Sequence, residues 1–163
     1  MNRNQWVFRS TFFALAAFLV PGLHMLSAQD KGGYHCILTD DGQRISAEAA
    51  FRPDEDELNL HYVVDVRNVA DITMAHLHLG DMYKVNTAVL WLYPSGPPPK
   101  LIPGVFNGIL AEGTVTAKDL LGPLRGQSLS ALMREMRAGR IYVNLHTMEH
   151  PEGSICGVVS LVE

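Results

Sequence analysis

Three signatures that would announce an enzyme are missing from this chain of 163 residues. It has no Gly-x-Ser-x-Gly elbow, no phosphate-cradling glycine loop and no dinucleotide fingerprint. Its acidic residues gather in turns, where solvation accounts for them. One such turn, Arg52-Pro53-Asp54-Glu55-Asp56, lacks the glycine and the ligand spacing of a calcium loop. Basic runs are lacking too, so nucleic acid and anionic membrane surfaces are poor candidate partners. No apolar run of membrane-spanning length follows residue 28.

What stands before residue 28 reads as a secretory leader. Arg3 and Arg9 form a positive start, residues 11–20 an apolar core, and Ser27-Ala28 precedes the polar pair Gln29-Asp30. The core is short of the roughly 20 residues that a spanning helix needs, and Pro21-Gly22 breaks it. The expected organisation is a signal peptide over 1–28 and one domain over 29–163, in the periplasm or secreted. Losing Arg3 and Arg9 leaves 11 basic against 17 acidic residues, a net charge of −6. Both cysteines, Cys36 and Cys156, lie in the exported part. In an oxidising compartment an even pair near the two chain ends reads as a disulfide, the alternative being two buried thiols.

The mature part is dominated by period-2 alternation. Residues 34–38 and 44–51 read as strands joined by an Asp-Asp-Gly turn, with Ile45, Ala47, Ala49 and Phe51 on one face. Residues 57–69 alternate most cleanly: Leu58, Leu60, Tyr62, Val64 and Val66 oppose Asn59, His61, Asp65 and Arg67. Further strands are expected over 86–93, 106–115, 140–147 and 154–162. The last but two of these is interrupted near Gly108 or Gly113. The proline-rich stretch 94–100 cannot be a central strand, because proline has no N–H to give. Helical spacing occurs once: Leu129, Leu132, Met133 and Met136 form one stripe, capped by Ser128 and ended by Gly139. Thr116 and Asp119 resemble a capping box opening a short turn. Many short strands with one late helix predict a Greek-key β-sandwich or flattened barrel, immunoglobulin-like or Cu/Zn superoxide dismutase-like.

Residues 73–80, Thr-Met-Ala-His-Leu-His-Leu-Gly, carry the chemistry. On a strand, His76 and His78 share one face while Ala75, Leu77 and Leu79 share the other. His146 shares its strand face with Asn144. If the two strands are neighbours, three neutral imidazoles converge, a donor set that suits copper or zinc. The competing reading is a structural network, in which each ring bonds a carbonyl or a polar neighbour such as Asn144, Thr147 or Glu152. His35, His61 and His150 are expected to stand apart from the cluster.

Several motifs occur here in one order. Residues 75–80 come first, then Gly113-Thr114-Val115-Thr116 with Asp119-Leu120, then a helix ending in Ala138-Gly139. Tyr142-Val143-Asn144-Leu145-His146-Thr147 and Pro151-Glu152-Gly153-Ser154-Ile155-Cys156-Gly157 close the set. The set resembles the CHRD domain, named from chordin, over roughly residues 34–162. The resemblance implies an extracellular or periplasmic β-sandwich, a binding or structural module with no enzymatic activity to carry over. Its partner would be an extracellular or periplasmic ligand or protein. The chain departs from the family pattern where Cys156 replaces the usual arginine, and Cys36 sits in the first strand. That paired departure fits a bridge between first and last strands. More faintly, His76-Leu77-His78 resembles the copper-ligand strand of copper/zinc superoxide dismutases, which implies a metal-binding alternative.

Overall fold

A single strand of 20 residues, β3 (Leu60–Leu79), is the spine of the domain. The computed structural model describes residues 32–40, 44–82, 84 and 86–162. The expected leader at 1–28 therefore lies outside the described residues. The sequence pattern suggests two strands, over 57–69 and from 73 onward, and the structure makes them one. The join runs through Asn68 and Asp71, both at positive φ (55° and 50°). Asn and Asp tolerate that conformation better than other side-chain-bearing residues. Each is also held from the neighbouring strand. Asn68 N–H donates to Asn107 Oδ1 at 2.8 Å, and Gly104 N–H donates to Asp71 Oδ1 at 2.7 Å. Register shifts in the pairing fall at these residues, so they act as β-bulges and re-aim the strand.

The bend changes the partners of β3. Its first part pairs with β2 (Ile45–Pro53), from Leu60 opposite Pro53 to Val66 opposite Ala47. Its second part pairs with β6 (Ile141–Thr147), from Ile72 opposite Thr147 to Leu79 opposite Ile141. β6 pairs with β7 (Ile155–Val158), β7 with β1 (Tyr34–Thr39), and β1 with β2. The ring therefore closes through β3, β6, β7, β1 and β2. The other side of β3 carries β5 (Ile102–Val115) and β4 (Ala88–Tyr93). A two-residue β8 (Ser160–Leu161) follows β7 after a break at Val159 and pairs with β1. The mainly β, barrel-with-one-helix part of the expectation holds; the arrangement is a closed ring with β4, β5 and the short β8 outside it.

The ring's interior is the core. Tyr34, Cys36, Leu38, Ala47, Ala49, Phe51, Leu60, Val64 and Val66 are buried there, with Ala75, Leu77, Val143 and Leu145 from the far side. Registers put these residues on one face, as the alternation requires. Leu58 departs from the pattern: it precedes the strand and is exposed. Helix α1 (Leu129–Arg137) buries its whole stripe of Leu129, Leu132, Met133 and Met136. Ser128 Oγ accepts the Ala131 N–H, and Gly139 takes φ +66° just past the end. The Thr116–Asp119 capping box forms as expected, on a single 3-10 turn (Ala117–Asp119).

Strand β6 breaks simple alternation, since all seven of its residues are buried. Its outer face is therefore covered as well as its inner one. That outer face is where the histidines lie.

Candidate metal centre

Register fixes the outer face residue by residue. His76 lies opposite Asn144 of β6 on one side and Trp91 of β4 on the other. His78 lies opposite Tyr142, and Met74 opposite His146. His76 and His146 are thus diagonal neighbours across one strand pair, within reach of long side chains. The three rings have centroids 5.1 Å (His76–His146), 5.7 Å (His76–His78) and 6.2 Å (His78–His146) apart. One nitrogen from each lies within 4.8 Å of the other two. This is the convergence expected from the sequence. It is somewhat wider than the ~3–4 Å that two bonds of ~2.0–2.1 Å to one ion would give.

Two backbone carbonyls set the proton positions. His78 Nδ1–H donates to Asn86 O at 3.0 Å, and His146 Nδ1–H donates to Pro151 O at 2.8 Å. A carbonyl oxygen can only accept, so each ring carries its proton on Nδ1 and a lone pair on Nε2. His76 Nδ1–H then donates to His146 Nε2 at 3.2 Å. The Nε2 atoms of His76 and His78 are buried with no hydrogen-bond partner.

All three rings are less than a tenth exposed. Burial pushes the His76 imidazole down to about 3, and the neighbouring His146 and His78 charges add to the effect. Burial also lowers His78 and His146, against the opposing pull of the Asn86 and Pro151 carbonyls. The rings are therefore neutral near pH 7, the form that ligates a metal.

Apolar walls enclose the cluster. The Trp91 ring meets His76 edge-on at 4.1 Å, and Tyr142 stacks on His78 at 5.2 Å with 18° between planes. Two glycines let loops close over this face. A Cβ at Gly153 (φ +87°) would overlap the Asn144 amide, and one at Gly80 (φ +136°) the Asn86 amide. Asn86 Nδ2 in turn bonds the carbonyls of Asp81 and Lys84, which fixes the turn that presents Asn86 O.

The other expected site residues divide. Asn144 belongs to the cluster: its Nδ2–H donates to Glu152 O at 3.2 Å, while its Oδ1 is buried without a partner. Glu152 takes part through that backbone oxygen; its carboxylate lies 3.6 Å from His150 instead. Thr147 is not brought to the rings, since its Oγ1 accepts the His150 N–H at 3.1 Å and holds the turn. His35 lies beside Glu48 and His61 beside Thr114, apart from the cluster as expected.

The expected Cys36–Cys156 disulfide is not formed. The register explains why. Cys156 lies opposite Asn144 and opposite Thr39, so it faces outward with the histidines. Cys36 is three residues from Thr39, an odd offset, and faces the barrel interior. Burial there pushes its thiol up to about 12. A sheet separates the two sulfurs.

Sequence reasoning missed Trp91 and the carbonyls of Asn86 and Pro151. The alternation of β4 placed Trp91 on a face without saying which strand adjoined it, and a backbone oxygen leaves no mark in a sequence. A polar cleft of about 400 Å³ also exists, lined by Arg44, Ser46, Arg67, Thr147, His150 and Ser154 among others, with none of the three histidines in it.

Neither a curated protein nor a solved structure matches the chain. The family model of the CHRD domain does, over residues 39–159, which takes in β2 to β7 and the histidine face and leaves out all of β1 but Thr39. The chain belongs to the CHRD domain family.

Proposed function

We propose that this domain is an exported, non-enzymatic binding module whose ligand is one copper or zinc ion, held by His76, His78 and His146. One observation carries the reading. His78 and His146 each have Nδ1–H tied to a backbone carbonyl, which leaves Nε2 as the ligating atom of both rings in a buried site: that of His146 faces His76 Nδ1 at 3.2 Å, and that of His78 has no hydrogen-bond partner. Such outer partners are the usual way in which a metal-binding imidazole is oriented. A purely structural cluster would leave the His76 and His78 Nε2 atoms buried and unpaired, at about 1–3 kcal/mol each. An ion satisfies both.

Family membership supports a binding or structural module, and the leader-like residues 1–28 support export. No helix among the described residues is long and apolar enough to cross a membrane. A dismutase-like reaction is not part of the proposal: the cluster contains three histidines and no carboxylate ligand.

The test is metal content of protein recovered from its native compartment, measured by plasma mass spectrometry. About one copper or zinc per chain is expected, falling to none in His78→Gln and His146→Gln. A chain that is metal-free as isolated, and takes up neither ion on titration, would overturn the reading.

A further inference from the structure

We infer that the site selects a monovalent ion, Cu(I), over Zn(II) and Cu(II), because its ligands are neutral and buried. The inference rests on the three-histidine reading above and goes on to the charge of the ion. Among the described residues His76, His78 and His146 are the whole ligating group, and none of them is an anion. His78 and His146 keep Nδ1–H bonded to carbonyls, so neither can become imidazolate without breaking that bond.

The carboxylates that reach this region point elsewhere. Glu152 is felt by His146, yet its side chain is 73 % exposed and sits against His150. Tyr142 feels the Cys156 thiol on the same face and, less, Asp81, whose carboxylate lies 3.3 Å from Lys84 Nζ. Any charge on the ion is thus desolvated by Trp91, Tyr142 and the barrel wall with no anion among its ligands. The cost of desolvating an ion grows with the square of its charge, so a divalent ion faces about four times the penalty of a monovalent one. Asn144, opposite His76 in the register, brings a buried amide oxygen and no charge.

Coordination number points the same way. Zn(II) takes four ligands, and Cu(II) favours a tetragonal set. Three nitrogens leave Zn(II) in need of a water as fourth ligand in a buried site and leave Cu(II) short of its tetragonal set, whereas Cu(I) is content with three.

The experiment uses the exported chain, stripped of metal. Cu(I) is titrated without oxygen against a chromophoric chelator, Zn(II) against a zinc indicator, and Ag(I) serves as an air-stable monovalent probe. Cu(I) should bind one per chain, on the order of 100-fold or more tighter than Zn(II). Ag(I) should compete for the same site, and X-ray absorption should count three nitrogens around the copper. Zn(II) binding as tightly as Cu(I), with loss in His78→Gln, overturns the selectivity and leaves the three-histidine reading standing. Absence of binding by all three ions, in protein shown folded by circular dichroism, overturns both.

Discussion

His146 accepts the Nδ1–H of His76 at 3.2 Å while its own Nδ1–H is held by the carbonyl of Pro151 at 2.8 Å. The loop that supplies Pro151 therefore decides which lone pair His146 offers. It is pinned by Asn144, whose Nδ2–H reaches Glu152 O, and by Gly153, which leaves room for the Asn144 amide.

Gly153→Ala tests that dependence. The new methyl would overlap Asn144 at a φ of +87°, in a region costing an L-residue about 1–2 kcal/mol before any clash. The loop must shift and Pro151 O must move with it. Unfolding by urea should show a loss of about 1–3 kcal/mol. Metal affinity should fall although no ligand was changed. Unaltered affinity in a destabilised variant would show that the loop does not orient His146.

Metal-free protein should lose stability as pH falls below about 6.5. The folded-state pKa of each cluster histidine is depressed, that of His76 to about 3. Above 6.5 both folded and unfolded states are neutral and the cluster contributes no slope. Between the depressed value and 6.5 the unfolded chain binds more protons, so stability drops as pH drops. The slope approaches ~1.4 kcal/mol per pH unit for each histidine inside its window. Urea midpoints at pH 7.5 and 5 measure this before the carboxylates titrate. A flat profile across that interval would contradict neutral buried rings.

Both cysteines should be found as thiols. Intact mass under denaturing, non-reducing conditions should show two alkylated cysteines, and no species 2 Da light, since a sheet lies between them. In native protein Cys36 should resist alkylation, its thiol being buried and raised to about 12.

What the sequence made legible was whatever alternation controls. His76 and His78 on one face, Leu77 on the other, and the buried stripe of α1 all follow from local period. Partnering was less legible. That β3 runs unbroken depends on Asn68 and Asp71 adopting positive φ, which cross-strand bonds from Asn107 and Gly104 stabilise. The disulfide expectation failed for a related reason: counting cysteines ignores parity, and the register that sets it is a tertiary fact. The carbonyls of Asn86 and Pro151 could not be anticipated, because every residue has one.

Neighbours on β3 should separate fold from function. Leu77 is fully buried in the barrel, and Leu77→Ala should cost about 2–5 kcal/mol through lost contact and the cavity left behind. Its folded fraction should still bind one ion, because the histidine face is on the other side of the sheet. His78→Ala should do the reverse. It removes the bond to Asn86 O and the stack on Tyr142, a loss of about 1–2 kcal/mol. It also removes a buried nitrogen that had no partner, which returns part of that loss. The metal-free variant should thus unfold within about 1 kcal/mol of the parent, yet take up no ion. Differential scanning calorimetry with and without metal reads both quantities at once. The parent and Leu77→Ala should each gain Tm on metal addition, and His78→Ala should not. A metal-induced rise in His78→Ala equal to that of the parent would remove His78 from the ligand set.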